Sequence, residues 1–293
     1  MTSDLHSTVL NKTTLIIVRY ENNKKIFQKD IINLAKHIKV YIYDNSKESV
    51  DFRNEKNIYL YHDKENGGLA KAINNCVDIA LKDGNEYAVY FDQDSVIDIY
   101  MIEKLLNSYK NFKIKNDNLF VLGPQATMPD GENYPIRVVE NIFDNYFSAS
   151  EIITSGMTFR LKDIQNIGYF DEELFLDLVD FDICWRAVEQ NKLVVVDRNI
   201  KMVHEVGIET IKIPFKVLPI SSPIRNYYQM RNMLYCAVYK NKKTRWIVAY
   251  YILRRLVNVM INLLFADEKM TRLKYNILGV KDALKKRMGK FSL

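Results

Sequence analysis

Over the first 130 residues, short runs rich in β-branched and aromatic side chains alternate with longer stretches whose apolar residues recur at helical spacing. Thr14–Tyr20 reads as a strand, Ile26–His37 as a helix, and Lys39–Tyr43 as a second strand that stops at Asp44-Asn45-Ser46. The cycle then repeats. Ile58–Tyr61 is a short strand, Asn66-Gly67-Gly68 opens a helix through Leu81, and Tyr87–Phe91 is a strand running into Asp92-Gln93-Asp94. This alternation predicts an α/β fold with a mostly parallel sheet covered by helices, and such sheets gather ligands at the carboxyl ends of their strands.

Those ends are polar in this chain. Arg19-Tyr20-Glu21-Asn22, Asp44-Asn45-Ser46, Asn66-Gly67-Gly68 and Asp92-Gln93-Asp94 each follow a predicted strand, so the fold should bring them to one rim. The backbone N–H groups opening the helix after Gly68 are expected to face an anion. Asp92 and Asp94, two residues apart along a strand, point to one side and present hard oxygens to a single cation. An acidic turn closing a strand is the competing reading.

A second chemical region spans residues 151–207. Ile153–Phe159 reads as a strand whose Gly156 admits a close backbone approach. Asp180 and Asp182 then open a helix, where acids also serve as caps or dipole partners. The strand Lys192–Asp197 leads on to Val203-His204-Glu205, and a lone histidine there is as compatible with a structural role as with a ligand.

Composition refines this picture. The 293 residues are 48% hydrophobic, enough for a substantial core, and the three cysteines show neither metal-ligand spacing nor a disulfide framework. A reducing interior and an N-terminus without a leader point to a cytoplasmic protein. The net charge of +6 conceals an asymmetry: residues 1–215 carry 25 Lys and Arg against 33 Asp and Glu, or −8, and residues 216–293 carry 17 against 3, or +14. The chain is therefore divided into an acidic α/β domain, 1–215, and a basic helical extension, 216–293. No nucleic-acid motif accompanies the basic segment, which favours an anionic membrane surface over nucleic acid as its partner. Within it, Thr244–Phe265 is amphipathic, with Thr244, Tyr251, Arg254, Arg255, Asn258 and Asn262 on one arc. Arg254-Arg255 interrupts the apolar run, making it a poor spanning helix. It is read as an interfacial helix with Trp246, Tyr250 and Tyr251 at headgroup level, aided by Lys281, Lys285, Lys286, Arg287 and Lys290. Packing on the α/β domain, or on a second subunit in a homo-oligomer, is the alternative.

The ordered set Asp44-Asn45-Ser46, Asn66-x-Gly68-x-Ala70-x-Ala72-x-Asn74, Asp92-Gln93-Asp94, Ser155-Gly156, Gly168-x-Phe170-Asp171-Glu172 and Asp180-x-Asp182-x-x-x-Arg186 resembles glycosyltransferase family 2 over about 200 residues. Phe91-Asp92-Gln93-Asp94-Ser95 and Ser222-Pro223-x-Arg225-x-Tyr227-Tyr228-x-x-Arg231-Asn232 look like the bacterial rhamnosyltransferases of that family. The resemblance implies a GT-A fold, an α/β sandwich that binds a nucleotide sugar at the strand ends, and inverting transfer to a hydroxyl of a lipid-linked glycan at the inner face of the cell membrane. It implies dTDP-β-L-rhamnose as donor, with UDP-galactofuranose as the nearest alternative. It further implies that Asp94 binds Mg²⁺ or Mn²⁺ most directly, with Asp92 acting through water or on the ribose and His204 as a further metal ligand. On the same grounds Asp44 hydrogen-bonds the pyrimidine, Tyr20 packs on it, and Asn66 and Gln93 line the nucleotide-sugar site. Arg225, Tyr228, Arg231 and Asn232 are placed to reach the diphosphate or the acceptor, Arg231 foremost. Asp180 is assigned as the base. Val179 replaces the first acid usual in that motif, and Asp182 and Asp177 compete for the role.

Two other classes are compatible with parts of the chain. Phe91–Val96 also fits the Asp-x-Asp signature of haloacid dehalogenase-type phosphatases, although that signature belongs on a first strand. A non-enzymatic membrane- or nucleic-acid-binding module would place the function in the basic segment.

Overall fold

A computed structural model describes residues 10–53, 55–128, 131–134, 137–143, 145–204, 209–213, 216–240 and 242–292. The N-terminus read as lacking a leader, the boundary at 215 and Glu205 lie outside the described residues. The central sheet is built from β1 (Thr13–Arg19), β2 (Lys39–Asp44), β3 (Ile58–His62), β4 (Tyr87–Asp92), β5 (Leu119–Thr127), β6 (Val138–Phe143), β7 (Tyr146–Ala149), β8 (Met157–Arg160) and β9 (Leu193–Val203). Their order across the sheet is β3-β2-β1-β4-β8-β5-β9-β7-β6.

The predicted parallel arrangement holds for β3, β2, β1 and β4 and again for β5 and β9, but β8 and β7 run antiparallel to their neighbours, so the sheet is mixed. Each predicted strand of the first ninety residues lies within two residues of an observed one. The predicted strand at 153–159 is shorter, because Thr154–Gly156 form the turn that leads into β8.

Strand periodicity sorts side chains into two core layers. Leu15 and Ile17 of β1 face one layer with Phe27 and Ile31 of α1 (Lys24–Ala35) and Leu105 and Tyr109 of α3 (Ile99–Lys115). Ile16 faces the other, with Ile73 and Val77 of α2 (Leu69–Lys82), Ile164 of α4 (Leu161–Ile167) and Trp185 of α5 (Val179–Glu189). Because both faces are covered, β1 reads as a continuous apolar run and not as an alternation.

Beyond β9 a two-stranded hairpin, β10 (Glu209–Ile213) and β11 (Lys216–Ile220), straddles the expected boundary at 215. Among the described residues three α-helices follow, α6 (Pro223–Tyr235), α7 (Arg245–Phe265) and α8 (Lys269–Leu284), with a π-helical turn, Cys236–Lys240, after α6. Gly279 of α8 lets that helix close onto α6, since a Cβ there would lie 2.7 Å from the Tyr227 carbonyl oxygen.

The close approach expected at Gly156 is made by the chain itself. Its φ is +80°, and an added Cβ would lie 2.6 Å from Pro124 Cδ, a rigid ring atom. Its N–H donates to the Tyr90 carbonyl at 2.8 Å, joining this turn to the strand that carries Asp92. Gly156→Ala should therefore destabilise the fold by about 2–4 kcal/mol through left-handed strain and overpacking together; chemical denaturation showing a loss below about 0.5 kcal/mol would contradict this packing.

Candidate active site

The register of the parallel strands brings their carboxyl ends together, with Arg19 opposite Asp44 and Val18 opposite Asp92. Below the rim, Arg19 and Asp44 form a fully buried pair: Nη1 of Arg19 donates to both Asp44 oxygens at 2.9 and 2.8 Å. The backbone N–H groups of Ser46 and Val50 donate to the same carboxylate at 3.0 and 3.2 Å. Asp44, expected to hydrogen-bond a base directly, is thus enclosed, with its oxygens occupied by the chain. It fixes the β1 and β2 ends, and losing one partner of such a pair costs about 3–5 kcal/mol.

Above this pair Tyr20 leaves its ring half exposed, at 53%. Its backbone is gripped on both sides by one side chain: the Tyr20 N–H donates to Gln93 Oε1 at 2.7 Å, and Gln93 Nε2 donates to the Tyr20 carbonyl at 2.9 Å. Gln93, expected to line the sugar-nucleotide site, instead ties the β1 and β4 ends together, and it is the Tyr20 ring that remains open.

The Asn66 motif is likewise turned inward. Asn66 adopts φ +53°, and its Oδ1 accepts the Gly68 N–H at 3.1 Å. Gly67 N–H donates to Asn45 Oδ1 and Leu69 N–H to the Phe175 carbonyl, at 3.1 and 2.8 Å. The Gly67 and Gly68 amides that lead into α2 and the Leu69 amide that opens it therefore meet protein acceptors and not an anion. Gly68 is required by this docking: at φ +88° an added Cβ would lie 2.6 Å from the Phe175 ring.

Five carboxylates distinguish the site, and their partners sort them. Asp182 is fully buried and meets Arg186 Nε at 2.8 Å and Lys240 Nζ at 2.7 Å. Asp177 is paired with Arg225. Asp180, half-buried between them, accepts only the N–H of Phe181 at 3.0 Å and forms no ion pair among the described residues. Burial pushes its carboxyl up to about 7, against the Phe181 N–H and with the charge of Asp92 adding to the shift. Asp92 accepts from the Tyr90 hydroxyl at 3.2 Å and is pushed up to about 6, by burial first and by the charge of Asp94 second. Asp94 is exposed, and among the described residues no hydrogen bond or ion pair engages its carboxylate.

His204 stands at the end of β9, half-buried, with its ring edge-on to Tyr134 at 6.0 Å between centroids. Burial holds it below the ordinary histidine range; Asp94 acts in the opposite sense and Arg225 reinforces the lowering. A neutral imidazole is the form that ligates metals. However, among the described residues no three His, Cys, Asp or Glu side chains converge closely enough to hold a metal ion. The expected set of Asp92, Asp94 and His204 is thus not a preassembled cage. Two neighbouring carboxylates, one free and one with a raised pKa, fit a hard cation whose other ligands arrive with a diphosphate.

The Arg-rich motif of α6 divides in the same way. Arg225 reaches the acids, where its charge acts on Asp177 most strongly and also on Asp180 and Asp92. Arg231, expected at the diphosphate, is fully buried and donates instead to the carbonyls of Gly289, Glu173 and Leu174 at 2.7, 3.3 and 3.0 Å. Asn232, also buried, donates to the carbonyls of Leu174, Leu176 and Asp177 at 3.0, 2.8 and 2.9 Å. The segment they hold is strained: Phe175, Asp177 and Leu178 have φ of 63°, 62° and 62°. Spacing within the motif signals a helix, but not which of its polar side chains turn inward.

Residues 27–150 match the description of Glycosyl transferase family 2. The chain is 30% identical over 233 residues to the dTDP-rhamnosyl transferase RfbF of Shigella flexneri, covering 75% of this chain and 76% of that one. Among solved structures, GalNAc-T7 with UDP, GalNAc and Mn²⁺ superposes with a TM-score of 0.51 at 10% identity, over 66% of this chain and 43% of that one. S. aureus TarS superposes with a TM-score of 0.50 at 16% identity, over 83% and 42%. The chain thus spans less than half the length of either solved structure, and the likeness to them is one of fold, the GT-A type. Sequence identity at this level across three quarters of both chains reaches beyond fold, and the chain belongs to glycosyl transferase family 2.

Proposed function

We propose that the chain transfers L-rhamnose from dTDP-β-L-rhamnose to a hydroxyl of a lipid-linked glycan, with inversion at the anomeric carbon. The donor rests on the likeness to a dTDP-rhamnosyl transferase over three quarters of the chain. The mechanism rests on one observation: of Asp177, Asp180 and Asp182, only Asp180 lacks a cationic partner among the described residues. The family assignment leaves the phosphatase reading of Phe91–Val96 without support.

In this reading the Tyr20 ring stacks on the thymine, and the acceptor hydroxyl attacks C1 from the side of Asp180. The new C–O bond forms as the bond from C1 to the β-phosphate oxygen breaks, dTDP leaves with the electron pair, and Asp180 takes the acceptor proton. With a pKa near neutrality the carboxylate is a competent base that still releases its proton afterwards. Asp94, with Asp92 behind it, would hold Mg²⁺ or Mn²⁺, which offsets charge on the departing diphosphate. Arg225 is the cation best placed to add to that effect, and it keeps Asp177 from competing for the proton.

Nucleotide-sugar binding measured across a panel with Mg²⁺ or Mn²⁺ should single out dTDP-rhamnose, and Asp94→Asn should weaken that binding at least about tenfold, a loss of about 1.4 kcal/mol. Preference for a UDP-hexofuranose would move the donor assignment, and no binding to any sugar nucleotide would sink it.

Asp180→Asn should retain donor binding and lose turnover by about 10²–10⁴-fold. In the wild type, kcat/KM should fall as pH drops below about 7. The same group has a stability signature. Its folded pKa lies above its ordinary value of 3.8, so its contribution to stability is complete below that value and disappears as pH rises through about 7. Asp180→Asn should flatten this part of the Tm-against-pH curve; undiminished transfer by the variant would assign the base elsewhere.

Asn232→Ala should lower kcat more than it raises the donor KM, because it releases the turn before Asp180 and leaves the donor contacts in place. Equal effects on both would indicate general unfolding of the site.

A further inference from the structure

Helix α7 buries Ile247 and Val248 at its start but leaves most of its apolar surface open further along. Its polar residues Arg255 and Asn262 are buried, while Trp246, Tyr250, Leu253, Val257, Met260 and Leu264 are exposed by 58%, 45%, 63%, 50%, 64% and 64%. The six exposed residues recur at intervals of four and three and so form one stripe along the helix. Sequence periodicity defined the two arcs but assigned no arc to the interior. The structure turns Arg255 and Asn262 inward, where Arg255 Nη2 donates to Asn276 Oδ1 of α8 at 3.0 Å and Asn262 Nδ2 to Asn226 Oδ1 of α6 at 3.4 Å, and leaves Arg254 and Asn258 exposed.

At 21 residues α7 is long and apolar enough to cross a membrane by length and composition. Its inward contacts place it instead along a surface, with one side held by protein and the other open. We infer that the open stripe of α7 docks onto an anionic lipid bilayer, lying in the interface parallel to the surface.

Charge selects this occupant over a second copy of the chain. Residues 216–293 carry 17 Lys and Arg, and their only acids are Asp267, Glu268 and Asp282. Asp282 accepts from the Tyr227 hydroxyl at 2.9 Å, and α7 contains no acid at all. On α8, which packs against α7, the exposed apolar residues Met270 and Ile277 stand among exposed Lys274 and Lys281, and neither lysine forms an ion pair among the described residues. A symmetric dimer through this face would press two strongly cationic segments together without acids to offset them. An anionic headgroup layer supplies the missing charge while its acyl region receives the apolar stripe. Trp246 and Tyr250 at the start of α7, with the Arg137 guanidinium 4.1 Å above the Trp246 ring, suit the headgroup level.

The inference stands on α7 and not on the donor reading, so its test is read without sugar nucleotide. Full-length protein is sedimented with vesicles of phosphatidylcholine alone or with about one third phosphatidylglycerol. Binding should favour the anionic vesicles and weaken with salt. The exposed double variant Leu253→Glu/Met260→Glu should lose at least about tenfold in partition while keeping its circular dichroism and thermal transition. Lys274→Glu/Lys281→Glu should lose affinity for anionic vesicles only. No binding to anionic vesicles overturns the inference, as does equal binding to neutral ones. A wild-type dimer in analytical ultracentrifugation that Leu253→Glu/Met260→Glu converts to monomer, without vesicle binding, would make a second copy the occupant.

Discussion

The position of Asp180 depends on a turn that the chain would not hold unaided. Phe175, Asp177 and Leu178 all lie in the left-handed region, where each non-glycine residue costs about 1–3 kcal/mol. The carbonyls of this turn are drawn outward by Asn232 and Arg231 of α6, and Phe175 is seated against the space that Gly68 leaves. Leu178 then precedes the first residue of α5, so that the strained turn delivers Asp180 to the helix's first turn. The clamp lies in the basic segment and Asp180 in the sheet region, so the extension is part of what positions Asp180.

Electrostatics then differentiate carboxylates that the chain places within six residues of one another. Asp182 is neutralised twice, by Arg186 and Lys240, and Arg186 also binds the Ile167 carbonyl at 2.8 Å, which anchors α5 to the end of α4. Asp177 is neutralised by Arg225. Asp180 faces burial and the charge of Asp92 with only backbone N–H groups, that of Phe181 first, in compensation, and its pKa rises accordingly. Pushing one acid toward neutrality while its neighbours stay paired is how a protein separates a proton acceptor from structural ions. Asp92 and Asp94 form a second separation, one carboxylate half-buried and one open.

Strand ends were legible because apolar runs and the polar residues that stop them are both local signals, and register did the rest. Orientation was not local. Asp44, Gln93 and Arg231 occupy the motif positions that placed them at the site, yet Asp44 and Arg231 are fully buried and Gln93 is engaged by the Tyr20 backbone. Their partners, Arg19 among them, come from segments that spacing alone does not connect. The strand β5 carries Gly123 and Pro124 and β6 is mostly exposed, so neither shows the apolar alternation that marks a strand. In α7 the hydrophobic pattern is amphipathic, but a pattern has no inside until its neighbours are known.

What draws Arg255 and Asn262 of α7 inward is the set of groups that α6 and α8 offer them. The side-chain oxygens of Asn226 and Asn276 accept from Arg255, that of Asn226 also accepts from Asn262, and Asn276 donates in turn to the Arg272 carbonyl; among the described residues no carboxylate pairs with the Arg255 guanidinium. Burial pulls that guanidinium down to about 10, and its Nε finds no hydrogen-bond partner. A network this costly adds little stability but does fix helix register, since any slip would leave further buried donors unmet. Asn226 and Asn232 lie on the same helix, six residues apart, one holding α7 and the other the turn before Asp180. One helix, α6, thus holds both α7, through Asn226, and the turn that carries Asp180, through Asn232.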